Sequence, residues 1–149
     1  MDIPKHLWRF PTREAIDSLA QRFGLPNEPN MQDWEYEVAD PDRVEEFLEA
    51  YESGELNDDE CFTLMETIIE SFEELKTDLD LDARWRRILS ALERRITRHI
   101  YSVYYWSCIE NESEEDCWRV TPYMRQILAK YRQDERFIEK PERTGAEQS

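Results

Sequence analysis

The chain has 149 residues, of which 19 are basic and 35 acidic, so that its formal net charge is −16 at pH 7. This length suits one domain with a single core, and the 40% of hydrophobic residues argue against a disordered chain. Only three glycines are present, and helix-forming Glu, Leu, Arg and Ala are frequent, which predicts an all-α fold rather than a sandwich or barrel.

The negative charge is concentrated in the first half of the chain. Residues 1–80 hold six basic and 23 acidic residues, whereas residues 81–109 hold six and two. A field of this sign repels nucleic acids and anionic membranes and attracts basic protein surfaces. We therefore expect a basic protein partner and neither a nucleic acid nor a membrane. The alternative is that the acidity only maintains solubility.

The three cysteines, Cys61, Cys108 and Cys117, are odd in number and follow no CxxC spacing. This pattern predicts neither a disulfide framework nor a zinc ribbon, and it is typical of a reducing compartment. The N-terminus lacks the uninterrupted apolar run of a signal peptide, and no run is long enough for a membrane span. A cytoplasmic protein without a metal or cofactor is therefore expected.

The first 40 residues predict one helix between two irregular segments. Residues 1–10 are too apolar for a free tail and are expected to lie across the core. Pro11 and Thr12 open a helix that ends at Gly24. Residues 33–38 alternate acidic with apolar side chains, which is the period of a half-buried extended segment.

Two further helices follow in the acidic half. Asp40 and Pro41 are a typical helix cap and first helical residue, and the helix that they begin stops at Gly54. The third helix begins after Asn57, and Glu60 stands where it can complete a capping box.

The longest helical pattern runs from Ala83 to Cys108 without Gly or Pro, and the rest of the chain is expected to pack against it. Steps of four and three residues define its seam, which consists of Trp85, Leu89, Leu92, Ile96, His99, Val103 and Trp106. The side opposite the seam carries Arg84, Arg87, Arg94 and Arg98. We expect these arginines and Arg95 to pair with acidic residues of neighbouring helices or of the loop that follows. Nucleic-acid binding is not expected of them, since no aromatic residues are interleaved and the surrounding field is negative.

The C-terminal third predicts one more helix. Residues 110–116 are expected to form a solvated acidic loop, and residues 117–120 are a candidate to pair with residues 34–38 as a short extended piece. Thr121 and Pro122 open the last helix. The predicted architecture is thus a single helical domain over residues 1–132, with about five helices and at most two short extended segments, followed by a polar, partly disordered tail over residues 133–149.

No catalytic constellation is recognisable. His6 and His99 are the only histidines, and His99 falls in an apolar seam where a packed, hydrogen-bonded role is expected. The sequence Glu45-Glu46-Phe47-Leu48-Glu49 matches one half of the EExxE and ExxD pattern of magnesium-dependent all-α nucleotide pyrophosphatases, but the second half is missing. We therefore predict no enzymatic activity and keep such a pyrophosphatase as an alternative. A DNA-mimic inhibitor or regulatory adaptor is a second one.

Two acidic surfaces are suited to contact Lys or Arg of a partner, with an exposed aromatic side chain as the anchor. The predicted helical stripe consists of Asp59, Glu66, Glu70 and Glu73. The predicted loop cluster consists of Glu110, Glu112, Glu114, Glu115 and Asp116. The candidate anchors are Trp34, Tyr36 and Tyr105.

Between about residues 55 and 130 the chain resembles small acidic bacterial immunity proteins, the cytoplasmic antitoxins of polymorphic and contact-dependent toxin systems. The resemblance is carried by the segment DDECFTLMETIIESFEEL, by Trp85 with Ile88 and Leu89, by Tyr104-Tyr105-Trp106, and by Thr121-Pro122-Tyr123-Met124-Arg125. It implies a non-enzymatic monomer or weak dimer that binds one cognate toxin, often a basic nuclease, and occludes its active site.

Overall fold

The computed structural model describes residues 3–111, 113 and 117–138. In this part of the chain the structure is all-α, as the composition predicts, and it contains no β-strand. The α-helices are α1 (Arg13–Phe23), α2 (Trp34–Glu37), α3 (Val44–Glu52), α4 (Asp58–Glu74), α5 (Ala83–Arg94), α6 (Ile96–Trp106) and α7 (Thr121–Tyr131).

Two of the predicted helix starts are confirmed with their caps. The Thr12 hydroxyl accepts a hydrogen bond from the Ala15 amide at the start of α1, and Gly24 closes the helix in the left-handed conformation with φ 64°. At the start of α4, Asn57 and Glu60 form the full reciprocal capping box. These ends are set by neighbouring residues, which is why the sequence reveals them. Asp40 instead caps a 3₁₀ turn over Pro41–Arg43 that precedes α3, and α7 begins at Thr121 without a side-chain cap.

Helix α4 is the centre of the fold, which corrects the expectation that the 83–108 segment is. It packs against α1, α2, α3 and α6. Its buried residues lie on nearly all sides, as is typical of a core helix; they are Cys61, Phe62, Thr63, Leu64, Met65, Glu66, Thr67, Ile68, Ile69, Ser71 and Phe72.

The predicted single helix from Ala83 to Cys108 is wrong, because Arg95 leaves the helical conformation with φ −124° and ψ 49°. The predicted seam is nevertheless buried, although Leu89 is only partly so. No Gly or Pro marks the break, so we attribute it to tertiary packing rather than to local preference.

The predicted extended segment 33–38 is also wrong. The Asp33 carbonyl accepts hydrogen bonds from the amides of Tyr36 and Glu37, which begins the short helix α2. Trp34 and Val38 are both buried, and residues four apart share one face of a helical turn. Two inward-facing residues at the ends of one helical turn therefore give a pattern in the sequence that resembles the alternation of a strand. The proposed pairing partner, residues 117–120, is a turn leading into α7.

Two cysteines contradict the expectation of no disulfide. Cys108, just after α6, is bonded to Cys117, just before α7, and Cys61 is free and buried. The packing of α6 against α7 brings the two ends of the intervening segment together. The cysteines therefore do not indicate a reducing compartment. Among the described residues, no helix has both the length and the apolar character needed to cross a bilayer.

Ordered packing continues beyond the predicted boundary at residue 132. Asp134 caps a 3₁₀ turn over Glu135–Phe137, and the Phe137 side chain is buried against the ring of Tyr131. Residues 135–137 therefore pack with the folded domain. Residues 139–149 lie outside the described residues.

Candidate protein-binding site

The outward face of α6 carries two tyrosines, one of which contacts the N-terminal arm. Tyr101 and Tyr105 are four residues apart and so lie on one face of the helix. The arm is tied down by buried Ile3, whose carbonyl accepts a hydrogen bond of 2.8 Å from the Trp8 indole. The rings of Trp8 and Phe10 then lie 5.7 and 5.3 Å from that of Tyr101.

Two further aromatic residues extend this contact along α6. The ring of Tyr36 stacks on that of Tyr105, and the Tyr105 ring also stacks on Trp118 with centroids 5.2 Å apart. The resulting group is called the aromatic surface below. It consists of Trp8, Phe10, Tyr36, Tyr101, Tyr105 and Trp118.

Half of the aromatic surface is freely accessible to a partner. The exposed fractions of Trp8, Phe10 and Tyr105 are 46%, 59% and 43%. Clustered aromatic side chains exposed on a folded protein are typical of interaction sites, and Trp and Tyr are enriched among residues that dominate binding energy. Because these rings are packed against one another, little side-chain entropy remains to be lost on binding.

A cleft of about 230 Å³ lies between the rings of the aromatic surface. Three carboxylates are part of its wall, those of Asp33, Glu35 and Glu66, together with one cation, Arg9. Arg9 is already close to an acid, since its Nε lies 3.9 Å from Asp59. The cleft is therefore both aromatic and acidic, which suits a Lys or Arg side chain. It is called the tyrosine cleft below.

The base of the tyrosine cleft is held by a buried polar network around Glu66. This carboxylate accepts hydrogen bonds from the Tyr36 hydroxyl at 2.9 Å, from the Trp106 indole at 3.0 Å and from the Ser102 hydroxyl. The three donors of these hydrogen bonds belong to α2 and α6, so the buried carboxylate has hydrogen-bond partners. Glu66 thus connects the central helix to the two helices that carry Tyr36 and Tyr105.

Burial controls the ionisation of the acidic groups here. It raises the pKa of Glu66, and the three hydrogen-bond donors oppose this rise. Burial also raises the pKa of Glu35, as do the charges of Glu66 and Asp33. The pKa of Glu70 is raised to about 7 by burial and by Glu74, Glu73 and Glu66. The tyrosine hydroxyls stay protonated, since burial raises the pKa of both Tyr36 and Tyr105.

The predicted acidic stripe is not a continuous solvated face. Glu66 is only 3% exposed, so it is not available at the surface. The Glu73 carboxylate accepts hydrogen bonds from the amides of Arg119 and Val120 and thereby holds the start of α7. Asp59 is exposed beside Arg9, and Glu70 is half-buried.

The remaining predicted contact residues fall in different places. Trp34 is 2% exposed and donates its indole N–H to the Pro26 carbonyl, so it cannot be a surface anchor. Tyr36 is half-buried and Tyr105 is exposed, and the structure stacks them. Glu110 is exposed. Glu112, Glu114, Glu115 and Asp116 lie outside the described residues.

The sequence did not identify Trp8, Phe10, Tyr101 and Trp118 as members of the aromatic surface. Only Tyr101 had a usable signal, its four-residue spacing from Tyr105 on one helix face. Nothing local places the arm on α6, because that contact joins residues about 90 positions apart in the chain.

Of the five arginines predicted to pair with acids of neighbouring helices or of the following loop, two do so among the described residues, and Arg94 and Arg95 form no ion pair there. Arg87 bridges to Glu45 and Glu52 of α3, and Arg98 bridges to Asp58 of α4. Arg84 instead pairs with Asp82, the cap of its own helix.

Two of the three EExxE carboxylates form ion pairs with arginines. Glu45 contacts Arg87, and Glu46 pairs with Arg43 at 2.8 Å. Among the described residues, no group of three or more His, Cys, Asp or Glu side chains is arranged to hold a metal ion.

His99 has the packed role expected from its position in the seam. It is fully buried, and its Nε2 lies 2.6 Å from the Tyr51 hydroxyl. Burial, followed by the charge of Arg98, lowers the pKa of His99 to about 3. The imidazole is therefore neutral and structural near pH 7.

Comparison of the chain with protein-family models, with curated proteins and with solved structures gives no match in any of the three.

Proposed function

We propose that this chain is a non-enzymatic immunity protein that binds and neutralises a basic bacterial toxin. The observation that carries the proposal is the aromatic surface with its acidic tyrosine cleft, on a chain of net charge −16. The resemblance to acidic immunity proteins over about residues 55–130 gives independent support from the sequence.

The tyrosine cleft suits one basic side chain of the partner. A Lys or Arg there would have its charge near the ring of Tyr101, whose quadrupole favours a cation over its face. Its N–H groups would be near Asp33 and Glu35 at the rim, where charge-assisted hydrogen bonds are possible. The exposed rings of Trp8 and Phe10 would contact the apolar stem of the same side chain or its neighbours.

The net negative charge would raise the rate of association with a basic partner and the selectivity for it. A surface of this sign accelerates encounter with a basic protein and disfavours acidic ones. A nuclease binds the phosphates of its substrate through basic residues, and those residues would be engaged by the acidic residues around the aromatic surface. Neutralisation then needs no chemistry, only a complex that covers the active site of the toxin.

The test starts from the partner itself. Tagged protein captures its partner from the native host, and the identified toxin domain is then produced and assayed with the purified chain. The expected result is a stoichiometric complex, loss of toxin activity, and protection of cells that co-express both proteins. Affinity should fall at about 0.5 M salt, where surface charges are strongly screened.

Matched variants tie the effect to this surface. Phe10→Ala with Tyr105→Ala removes two exposed rings and should abolish protection. The control Leu81→Ala removes a side chain that is 78% exposed but lies outside the aromatic surface, and it should leave protection unchanged. Full protection by the double variant would exclude the aromatic surface as the binding site. A captured partner whose activity is unaffected would refute the immunity function.

A further inference from the structure

A second cleft, of about 520 Å³, lies where α5 ends and α6 begins. One side is formed by Arg94, Arg95 and Arg98, and the other by the end of α3 and the start of α4. Three guanidinium groups on one cleft reverse the sign of the charge that prevails over the chain as a whole. It is called the arginine cleft below.

Two of these arginines have no ion-pair partner among the described residues. Arg94 and Arg95 are exposed, and neither forms an ion pair with any residue in the described part of the chain. Arg98 contacts Asp58, with its Nε 3.1 Å from the carboxylate. The one carboxylate on the wall, Glu52, is engaged by Arg87 from outside the cleft. The arginine cleft therefore keeps a net positive charge.

The positive charge of the arginine cleft comes from its side chains. Arg95 both closes α5 and opens α6, so the negative end of the α5 dipole meets the positive end of the α6 dipole there. The three guanidinium groups therefore provide the attraction for an anion.

We propose that the arginine cleft binds a small phosphorylated molecule. Guanidinium groups match phosphate oxygens in geometry and charge, and the volume is within the range of small-ligand pockets. Tyr51, Leu56 and Ala91 form an apolar part of the wall against which the rest of such a ligand can pack. A small anion does not bring a long phosphate backbone against the surrounding negative surface, as a nucleic acid would. This proposal does not depend on the proposed immunity function.

The test is a titration of the full chain with sodium pyrophosphate at constant ionic strength, followed by ¹⁵N NMR and calorimetry. We expect saturable binding, with the largest shifts at the amides of Arg95, Ile96 and Thr97. The variant Arg94→Gln with Arg95→Gln should weaken binding by about tenfold or more, as expected for loss of charge-assisted contacts. The charge-matched control, Arg13→Gln with Arg86→Gln, changes two exposed arginines outside the cleft and should bind as the original chain does.

A repeat titration with a nucleoside diphosphate identifies what the apolar wall contributes. Tighter binding than pyrophosphate would assign the ligand class to nucleotides, and equal binding would assign it to the phosphate group alone; both uphold the site. The absence of saturable binding at about 10 mM would overturn the proposal, since any site tighter than about 1 mM would then be nearly full. Equal weakening in both double variants would also overturn it, because it would reveal only the effect of net charge.

Discussion

Tyr36 and Tyr105 lie with their ring planes 11° apart and their centroids 6.4 Å apart, although they belong to the separate helices α2 and α6. The Tyr36 hydroxyl is held by the buried carboxylate of Glu66. The exposed Tyr105 ring therefore rests on a second ring that is itself fixed to the central helix. An anchor held in this way is preorganised for binding.

Replacing Tyr105 should separate binding from folding. Tyr105→Ala removes an exposed ring, so we expect a loss of about 2 kcal/mol or more in affinity for the basic partner and about 1 kcal/mol or less in stability. Tyr105→Phe keeps the ring and should bind almost as well. Calorimetric titration and thermal unfolding of the same preparations measure both quantities. If Tyr105→Ala is already unfolded at the temperature of the titration, Tyr105 has a structural role instead.

Glu66 should tolerate loss of its charge but not of its shape. In Glu66→Gln the carbonyl can still accept from Tyr36 and Trp106, and the amide can donate to the Ser102 hydroxyl. Because burial penalises the charged form, we expect this variant to be as stable as the original chain at pH 7 or more so. Glu66→Ala leaves the Trp106 indole N–H unpaired next to a cavity and should cost about 3 kcal/mol. Urea unfolding measures both, and equal losses would contradict the prediction.

Glu70 should make stability depend on pH. Its pKa is raised from 4.5 to about 7 in the folded chain, so the folded state binds the proton more tightly than the unfolded state does. The contribution of this group is fully present below about pH 4.5 and is lost as the pH rises through about 7. Glu70→Gln stays neutral, so it should match the original chain at pH 4 and exceed it at pH 8 by about 1 kcal/mol, allowing for solvent screening.

The control for this prediction is Glu49→Gln, which changes an exposed glutamate of α3. Denaturant unfolding at pH 4 and pH 8 measures the difference in the free energy of unfolding between each variant and the original chain. A gain for Glu70→Gln that is the same at pH 4 and pH 8 would mean that ionisation is not its cause.

The disulfide should be detectable by counting thiols. The denatured, unreduced chain should show one reactive thiol, that of Cys61, and the reduced chain should show three. Reduction removes the cross-link over a sequence separation of nine residues, which chain-entropy arguments value at about 2–3 kcal/mol. Cys108→Ser with Cys117→Ser should reproduce this loss and become insensitive to reductant. Three thiols in chain purified under oxidising conditions would contradict the pairing.

The sequence by itself determined the helical class, the caps at Thr12 and Asn57, the burial of the 83–108 seam and the strong negative charge. Each of these depends on composition or on residues within about one helical turn of each other, so no long-range contact is needed to predict them. The same short-range reasoning misassigned residues 33–38, because a single helical turn with two buried ends has the same inward and outward pattern as a strand.

Only the tertiary structure decided which acidic and aromatic residues lie together at the surface. Glu66 and Trp34 look like surface residues in the sequence but are buried by helices from distant parts of the chain. The break at Arg95, the pairing of Cys108 with Cys117 and the placement of the N-terminal arm on α6 likewise follow from packing between separate elements. Burial is a property of the assembled core, and periodicity along one helix identifies its apolar face without showing what covers the other faces.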